Sequence, residues 1–156
     1  MSLDTQGSVM EIKDFLPPTS LALDIRAANK KGLLKALAAK VAPPLCLSTD
    51  AVSKELLRRD ELGSTGFGCG VAIPHARFPG ISAPHGYLAR LHGAIDYDAI
   101  DGRPVDLVFV LLLPAVSQPE DPSALAAVAR KLRDPEVLRD LRLAGNTKDF
   151  YRAIAS

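Results

Sequence analysis

Cysteine is scarce in this chain: Cys46 and Cys69 are the only two. Their separation fits neither a CxxC redox pair nor a disulfide framework, so the chain suits a reducing compartment and a cytoplasmic location is expected. An excess of one charge is lacking too. Lys and Arg total 19 against 18 for Asp and Glu, which argues against a life on nucleic-acid phosphates, where a strongly basic face is needed. Long hydrophobic runs are missing. The most conspicuous, Leu107 to Leu113, is closed by Pro114, well short of the ~20 residues of a membrane span, so no membrane insertion is expected. Met1-Ser2-Leu3-Asp4-Thr5 carries neither a basic nor an apolar leader segment, and no signal peptide is expected. There is no internal repeat and no low-complexity segment.

What is present is a globular balance. With 156 residues, 47% of them hydrophobic and 24% charged, the chain has material for one core and one domain. Residues 1–10 are polar and unpatterned and read as a flexible tail; the domain is expected over 11–156.

Periodicity places the elements. Leu21–Ile25 is a short apolar piece. Asn29 can cap a helix to about Val41, with Leu33, Leu34, Leu37, Ala38 and Val41 at helical spacing and Pro43-Pro44 as its stop. Ser48 or Thr49 caps a second helix to about Arg59, with Val52 and Leu56 on one face. Gly63, Gly66, Gly68 and Gly70 then crowd into a segment that reads as a loop feeding a short strand over 71–73. Residues 86–92 are a plausible strand. Val105 to Leu113, apolar on both faces after Asp106, belongs in a sheet centre covered on both sides. Helices follow over about 121–133, with Leu125, Val128, Ala129 and Leu132 at helical spacing, then over 135–143, and last behind Asn146 or Thr147. This order means one α/β layer structure.

The segment from Arg58 to His75 holds the candidate chemistry. Gly66, Gly68 and Gly70 give G-x-G-x-G leading into a strand, which is not a dinucleotide fingerprint, and the G-K-[ST] of a P-loop is absent. Gly63-Ser64-Thr65-Gly66 is not a nucleophile elbow. Cys69, His75, His85 and His92 match no zinc spacing, so neither metal nor cofactor is expected. What remains is His75, presented directly after Ile73-Pro74 and preceded by small residues. Glycines let an anion approach the backbone, Ser64 and Thr65 add hydroxyl donors, and Arg59 adds a fork of donors suited to phosphate oxygens. A neutral imidazole has a ring nitrogen free to attack phosphorus. Residue types alone also allow the plainer alternative, in which His75 is an ordinary loop residue and Arg58-Arg59 the solvated end of a helix. His85, in a Gly/Pro loop, is expected to be exposed. His92 is expected to end a strand, in a structural or exposed setting.

Arg59-Asp60-Glu61-Leu62-Gly63-Ser64-Thr65-Gly66, continuing to Gly70-Val71-Ala72-Ile73-Pro74-His75, resembles the active-site signature of enzyme IIA proteins of the bacterial phosphotransferase system, in the fructose/mannitol class that includes the nitrogen-regulatory IIA proteins. The likeness continues through Asp96 to Phe109, through Leu111-Leu112-Leu113-Pro114 and into Leu125 to Leu132, and covers roughly residues 11–155. It implies a single-domain α/β fold with a mixed central sheet of about five strands and helices on both faces. It implies that His75 is the phosphoacceptor, with Arg59 beside it and Gly63, Ser64, Thr65 and Gly66 in the phosphate-holding loop. The donor would be HPr or its nitrogen-branch relative. The recipient would be a IIB component for a sugar-specific member, or a regulatory target for a nitrogen-branch one. No fused IIB, IIC or HPr segment is expected. A Gly-Ser-Thr-Gly signature on a free-standing chain favours the regulatory branch.

One departure stands out. Where the family commonly has a second histidine, at the start of the helix after Leu-Leu-x-Pro, this chain has Asp121. A carboxylate there could orient the imidazole by taking its other ring proton, or repel the incoming phosphoryl group. The favoured reading is a helix N-cap ahead of Pro122. If the loss abolishes transfer, the chain is a degenerate, non-phosphorylated binding module. Ala76-Arg77, where some members look more like Gly-Lys, keeps a small residue followed by a base, and nothing is read into it. Phe67 and Phe78 are candidates for an apolar docking rim, with ordinary core packing as the alternative.

Overall fold

A computed structural model describes residues 10–156 of the chain. The expected tail over 1–10 falls, Met10 apart, outside the described residues; the Met10 amide donates to Ser123 Oγ at 2.7 Å. The order is α1 (Ile12–Phe15), β1 (Leu21–Ile25), α2 (Lys30–Val41), α3 (Thr49–Leu62), β2 (Gly66–Gly68), β3 (Val71–Ala72), β4 (His75–Phe78), β5 (His85–Ile95), β6 (Val105–Pro114), α4 (Asp121–Leu132), α5 (Pro135–Leu143) and α6 (Thr147–Ala155), with a 3-10 turn at Pro43–Leu45.

The helix starts follow from their caps. Asn29 accepts the Gly32 amide at 2.8 Å, Ser48 the Ala51 amide at 3.2 Å and Asn146 the Asp149 amide at 2.8 Å, each satisfying a donor that the first turn leaves without an intrahelical partner. All five expected core positions of α2 are buried.

The sheet has six strands in the order β1-β5-β6-β3-β2, with β4 also paired to β6. It is mixed: β5 and β6 run antiparallel, as do β2 and β3, while β1 pairs parallel to β5, and β3 and β4 parallel to β6. β6 lies at the centre, and its alternation divides the core. Val108, Val110 and Leu112 pack with α2 and α3; Leu107, Phe109, Leu111 and Leu113 pack with α1, α4, α5 and α6. Both faces of β6 are therefore covered, which is why it reads as an unbroken apolar run.

The structure corrects the glycine-rich segment. It is not a plain loop feeding one strand: β2 and β3 form a hairpin whose two turn residues, Cys69 and Gly70, sit at φ of 56° and 80°. Two residues at positive φ suit the twist of a tight hairpin. His75 is not in a loop either but opens β4. Strands this short carry no readable period, hence six strands where about five are expected. The α4 stripe is also rotated from expectation. Asp121, Ala124, Ala127, Val128 and Leu132 are buried, leaving Leu125 and Ala129 half-exposed beside the site described below. His85 opens β5 and is half-buried, and burial pushes its pKa down. His92 lies within β5 rather than at its end and is exposed.

Candidate active site

His75 sits where β4, α3 and α4 meet. Alternation along β4 sends Ala76 and Phe78 into the α2/α3 core and leaves His75 and Arg77 on the opposite face. Among the described residues β4 pairs only with β6, and beside it lies a cleft of about 500 Å³ lined by residues that include Arg59, His75, Arg77, Asp121 and Leu125. A second hollow on the other flank of His75 is lined by Arg59, Ser64, Thr65, Phe67, Ile100 and Arg133. His75 and Arg59 line both.

The tautomer of His75 follows from one bond. Nδ1 lies 2.7 Å from the Ile73 carbonyl oxygen, an acceptor only, so Nδ1 carries the proton and Nε2 keeps its lone pair. Burial pushes the ring's pKa below the ordinary value and the Arg59 charge adds to this; the bond to Ile73 opposes both and is outweighed. The imidazole is neutral at pH 7, with Nε2 as the nucleophilic nitrogen. The backbone carbonyl thus orients the ring, a role that the departure at position 121 left open for a carboxylate.

Arg59 lies in the last turn of α3, where its Nη1 donates to the Gly63 carbonyl at 3.1 Å. Arg58 also lines the first cleft, but its guanidinium is forked onto Glu55 at 2.9 and 2.6 Å. The Gly63–Gly66 loop is held mainly by Asp60 of α3. The Gly63 amide donates to the Asp60 carbonyl, the Thr65 amide to Asp60 Oδ1 at 2.8 Å, and the Gly66 amide to Ser64 Oγ at 3.1 Å. The Thr65 hydroxyl donates inward to Asp60 Oδ1 at 2.7 Å and lies 3.0 Å from the Tyr97 phenol. Ser64 is exposed as a residue, and its hydroxyl, besides accepting from Gly66, donates to the Tyr97 carbonyl at 3.4 Å.

Beneath the loop lies a cluster that the sequence reading missed. Asp60 is buried and ion-paired with Lys30, whose ammonium stands 5.0 Å from the Tyr97 ring centroid. Burial pushes the Asp60 carboxyl up, but the bonds from Lys30 and Thr65 outweigh it and carry the pKa below the usual range. Burial likewise pushes the Tyr97 phenol far up. The signal was in α3: Val52 and Leu56 are followed by Asp60 on the same buried face, and a carboxylate at a core position needs partners.

Asp121 is not the expected helix cap. The residue preceding the helix is Glu120, and Asp121 is 2% exposed with Oδ2 bound by Arg77 Nη1 at 2.6 Å and by the Gln118 amide at 2.9 Å. Nor is it bonded to His75. Arg77, given no meaning in the sequence, is therefore part of the site's charge arrangement. Phe78 is a core aromatic. Phe67 is half-buried at the second hollow, with the Arg133 guanidinium 5.2 Å from its ring centroid, and Ile100 stands beside it at 88% exposure.

Among the described residues no three His, Cys, Asp or Glu gather closely enough to hold a metal ion, and no helix is long and apolar enough to cross a membrane.

A mixed sheet layered between helices, with a neutral histidine and an arginine lining a cleft beside β4, defines an α/β protein with a candidate nucleophilic site. The family described as "Phosphoenolpyruvate-dependent sugar phosphotransferase system, EIIA 2" matches residues 14–156, and the chain belongs to it. A nitrogen regulatory protein of Bradyrhizobium diazoefficiens is 39% identical over 94% of this chain and 95% of its own length. One of Pseudomonas aeruginosa is 34% identical over 94% and 96%. The crystal structure of the nitrogen regulatory protein IIA-Ntr from Neisseria meningitidis superposes with a TM-score of 0.85 at 31% identity, covering 92% of this chain and 98% of that one.

Proposed function

We propose that this protein is a cytoplasmic phosphoryl carrier that takes phosphate from the phosphohistidine of an HPr-like protein onto Nε2 of His75 and binds partners according to its phosphorylation state. The observation that carries the reading is the His75 ring itself: Nδ1–H is fixed to the Ile73 carbonyl, leaving Nε2 as the unprotonated nitrogen, in a surface cleft shared with Arg59. In the transfer, the bond from phosphorus to the donor's ring nitrogen breaks as the bond to Nε2 forms, and the old bond's electron pair returns to the donor ring. Positive charge growing on the His75 ring is met by the Ile73 carbonyl through Nδ1–H. The phosphoryl oxygens are met by the Arg59 guanidinium and by Ser64 at the edge of the Gly63–Gly66 loop, while Thr65 braces that loop from beneath. Positioning and charge stabilisation supply most of the catalysis in such transfers. The apolar surface at Phe67 and Ile100 suits a docking protein, since two imidazoles must approach a single phosphorus atom. The name of the nitrogen regulatory relatives favours a regulatory role over sugar delivery.

The test is incubation with phosphoenolpyruvate, the first phosphotransferase enzyme and HPr, followed by intact mass. One acid-labile phosphoryl group is expected, abolished by His75→Ala. Its survival in that variant would refute the assignment. Rapid onward transfer to a fructose-type IIB would make the protein a sugar-delivery component. No adduct, under conditions that label a control IIA protein, would make it a non-phosphorylated binding module.

A further inference from the structure

The pair formed by Arg77 and Asp121 has no part in the chemistry so far. Three observations bear on it. First, His75 and Arg77 are two residues apart on β4, share a face, and line the same cleft. Second, the ion pair is lopsided. The carboxylate is 2% exposed, whereas the arginine side chain is 40% exposed, so the guanidinium reaches from a buried anchor out to the mouth of the cleft. Third, its two ends are held unequally. Nη1 donates to Asp121 Oδ2 at 2.6 Å and to the Pro114 carbonyl at 3.0 Å, while Nη2 has only Ser117 Oγ at 3.4 Å. Among the described residues Asp121 Oδ1 has no hydrogen-bond partner.

We propose that Arg77 is a second phosphoryl-binding residue, presented to the phosphate on His75 by Asp121. The inference rests on His75 being the phosphoacceptor. A phosphoryl group on Nε2 brings up to two negative charges beside a guanidinium whose outer nitrogen is weakly engaged. Guanidinium donors form a planar fork that can hold two anions at once. Nη1 stays on Asp121, because leaving that buried carboxylate unpaired is strongly destabilising. Nη2 exchanges Ser117 for a phosphoryl oxygen. Arg59 from α3 and Arg77 from β4 then hold the group from two elements.

The arrangement also resolves the departure at position 121. An isolated aspartate there would repel the incoming phosphoryl group. Paired with Arg77 it adds no net charge, and it fixes the direction in which the guanidinium is offered. Asp121 is thus a positioning residue that acts through Arg77.

The experiment follows phosphoryl uptake from HPr and the lifetime of the adduct in Arg77→Gln, Arg77→Lys and Asp121→Asn, with thermal melting of each as the check on folding. Arg77→Gln should slow uptake or shorten the adduct's lifetime by about 10- to 100-fold, the worth of one hydrogen bond to a charged group. Arg77→Lys separates this role from a structural one. A lysine can keep the ion pair to Asp121 but cannot bridge two anions, so stability should be retained and phosphoryl handling lost. Asp121→Asn should show a smaller loss, and little further loss when combined with Arg77→Gln, because both act through one guanidinium. Wild-type kinetics in folded Arg77→Lys and Arg77→Gln would overturn the proposal while leaving His75 as the acceptor. A wild-type protein that takes no phosphate would overturn both.

Discussion

Replacing Asp60 tests whether the buried cluster under the Gly63–Gly66 loop holds the site together. Three bonds converge on this carboxylate: Oδ1 takes the Thr65 amide and hydroxyl, and Oδ2 takes the Lys30 ammonium. Asp60→Ala removes all three. The Thr65 amide is left without an acceptor in a buried place, at about 1–3 kcal/mol. Rupture of a buried ion pair costs about 3–5 kcal/mol, less here because Lys30 is 19% exposed and has Asp98 at 3.4 Å as a second partner. The Thr65 hydroxyl keeps Tyr97. The two contributions together give a loss of about 3–5 kcal/mol, or roughly 10 °C in Tm at about 2–4 °C per kcal/mol for a chain of this size. Asp60→Asn preserves an oxygen for Thr65 but sets an amide N–H where Lys30 had an acceptor, so it should lose about 1.5–3 kcal/mol, the net worth of a hydrogen bond to a charged group. The assay is urea unfolding of the three proteins, with phosphoryl uptake by the folded fractions measured alongside. Uptake should fall in Asp60→Ala, whose loop has lost its anchor. Because the Asp60 pKa is depressed by folding, its contribution is complete above the unfolded value of ~3.9 and disappears as pH falls through the folded value. The gap between wild type and Asp60→Ala should therefore narrow on acidification. An Asp60→Ala protein within ~1 kcal/mol of wild type at neutral pH would refute the reasoning.

Two further outcomes follow from the same geometry. A Cβ on Gly66 would lie 2.7 Å from Ala99 Cα, whereas one on Gly63 meets nothing within 4 Å; the Gly63 backbone, at φ 169°, is extended. Gly66→Ala should lose about 1–3 kcal/mol as an overpacking change and Gly63→Ala under ~0.5 kcal/mol, and melting curves with the reverse ranking would contradict the packing. The His75 ring titrates below its free value, so uptake of phosphate should persist below pH ~6.5 and fail only as the folded pKa is passed. Its contribution to stability has the same sense, complete above ~6.5 and lost as pH falls toward the folded value. A rate profile or NMR titration with a midpoint at or above ~6.5 would contradict a half-buried, Arg59-facing ring.

The amino-acid sequence by itself determined α2 to α6 and the central strand, but not the single turn of α1. Asn29, Ser48 and Asn146 are local caps, the α2 stripe is a local periodicity, and β6 is apolar on both faces because both faces are covered. The motif around Arg59, Gly63–Gly66 and His75 was legible for the same reason: it lies in one stretch of chain with a composition of its own. The tertiary structure decided the rest. Which nitrogen of His75 is free depends on a carbonyl that the β3–β4 turn places 2.7 Å away. Whether Asp121 caps, repels or positions depends on Arg77, 44 residues earlier in sequence. Whether Thr65 faces phosphate or core depends on Lys30, Asp60 and Tyr97, drawn from three parts of the chain. The Ile73 carbonyl is only two residues from His75 but meets the ring through the backbone turn alone, whereas Arg77 with Asp121, Lys30 with Asp60 and Thr65 with Tyr97 pair across 30 to 44 residues; composition and periodicity encode neither, and both follow from the packing of the chain around β4 and α3.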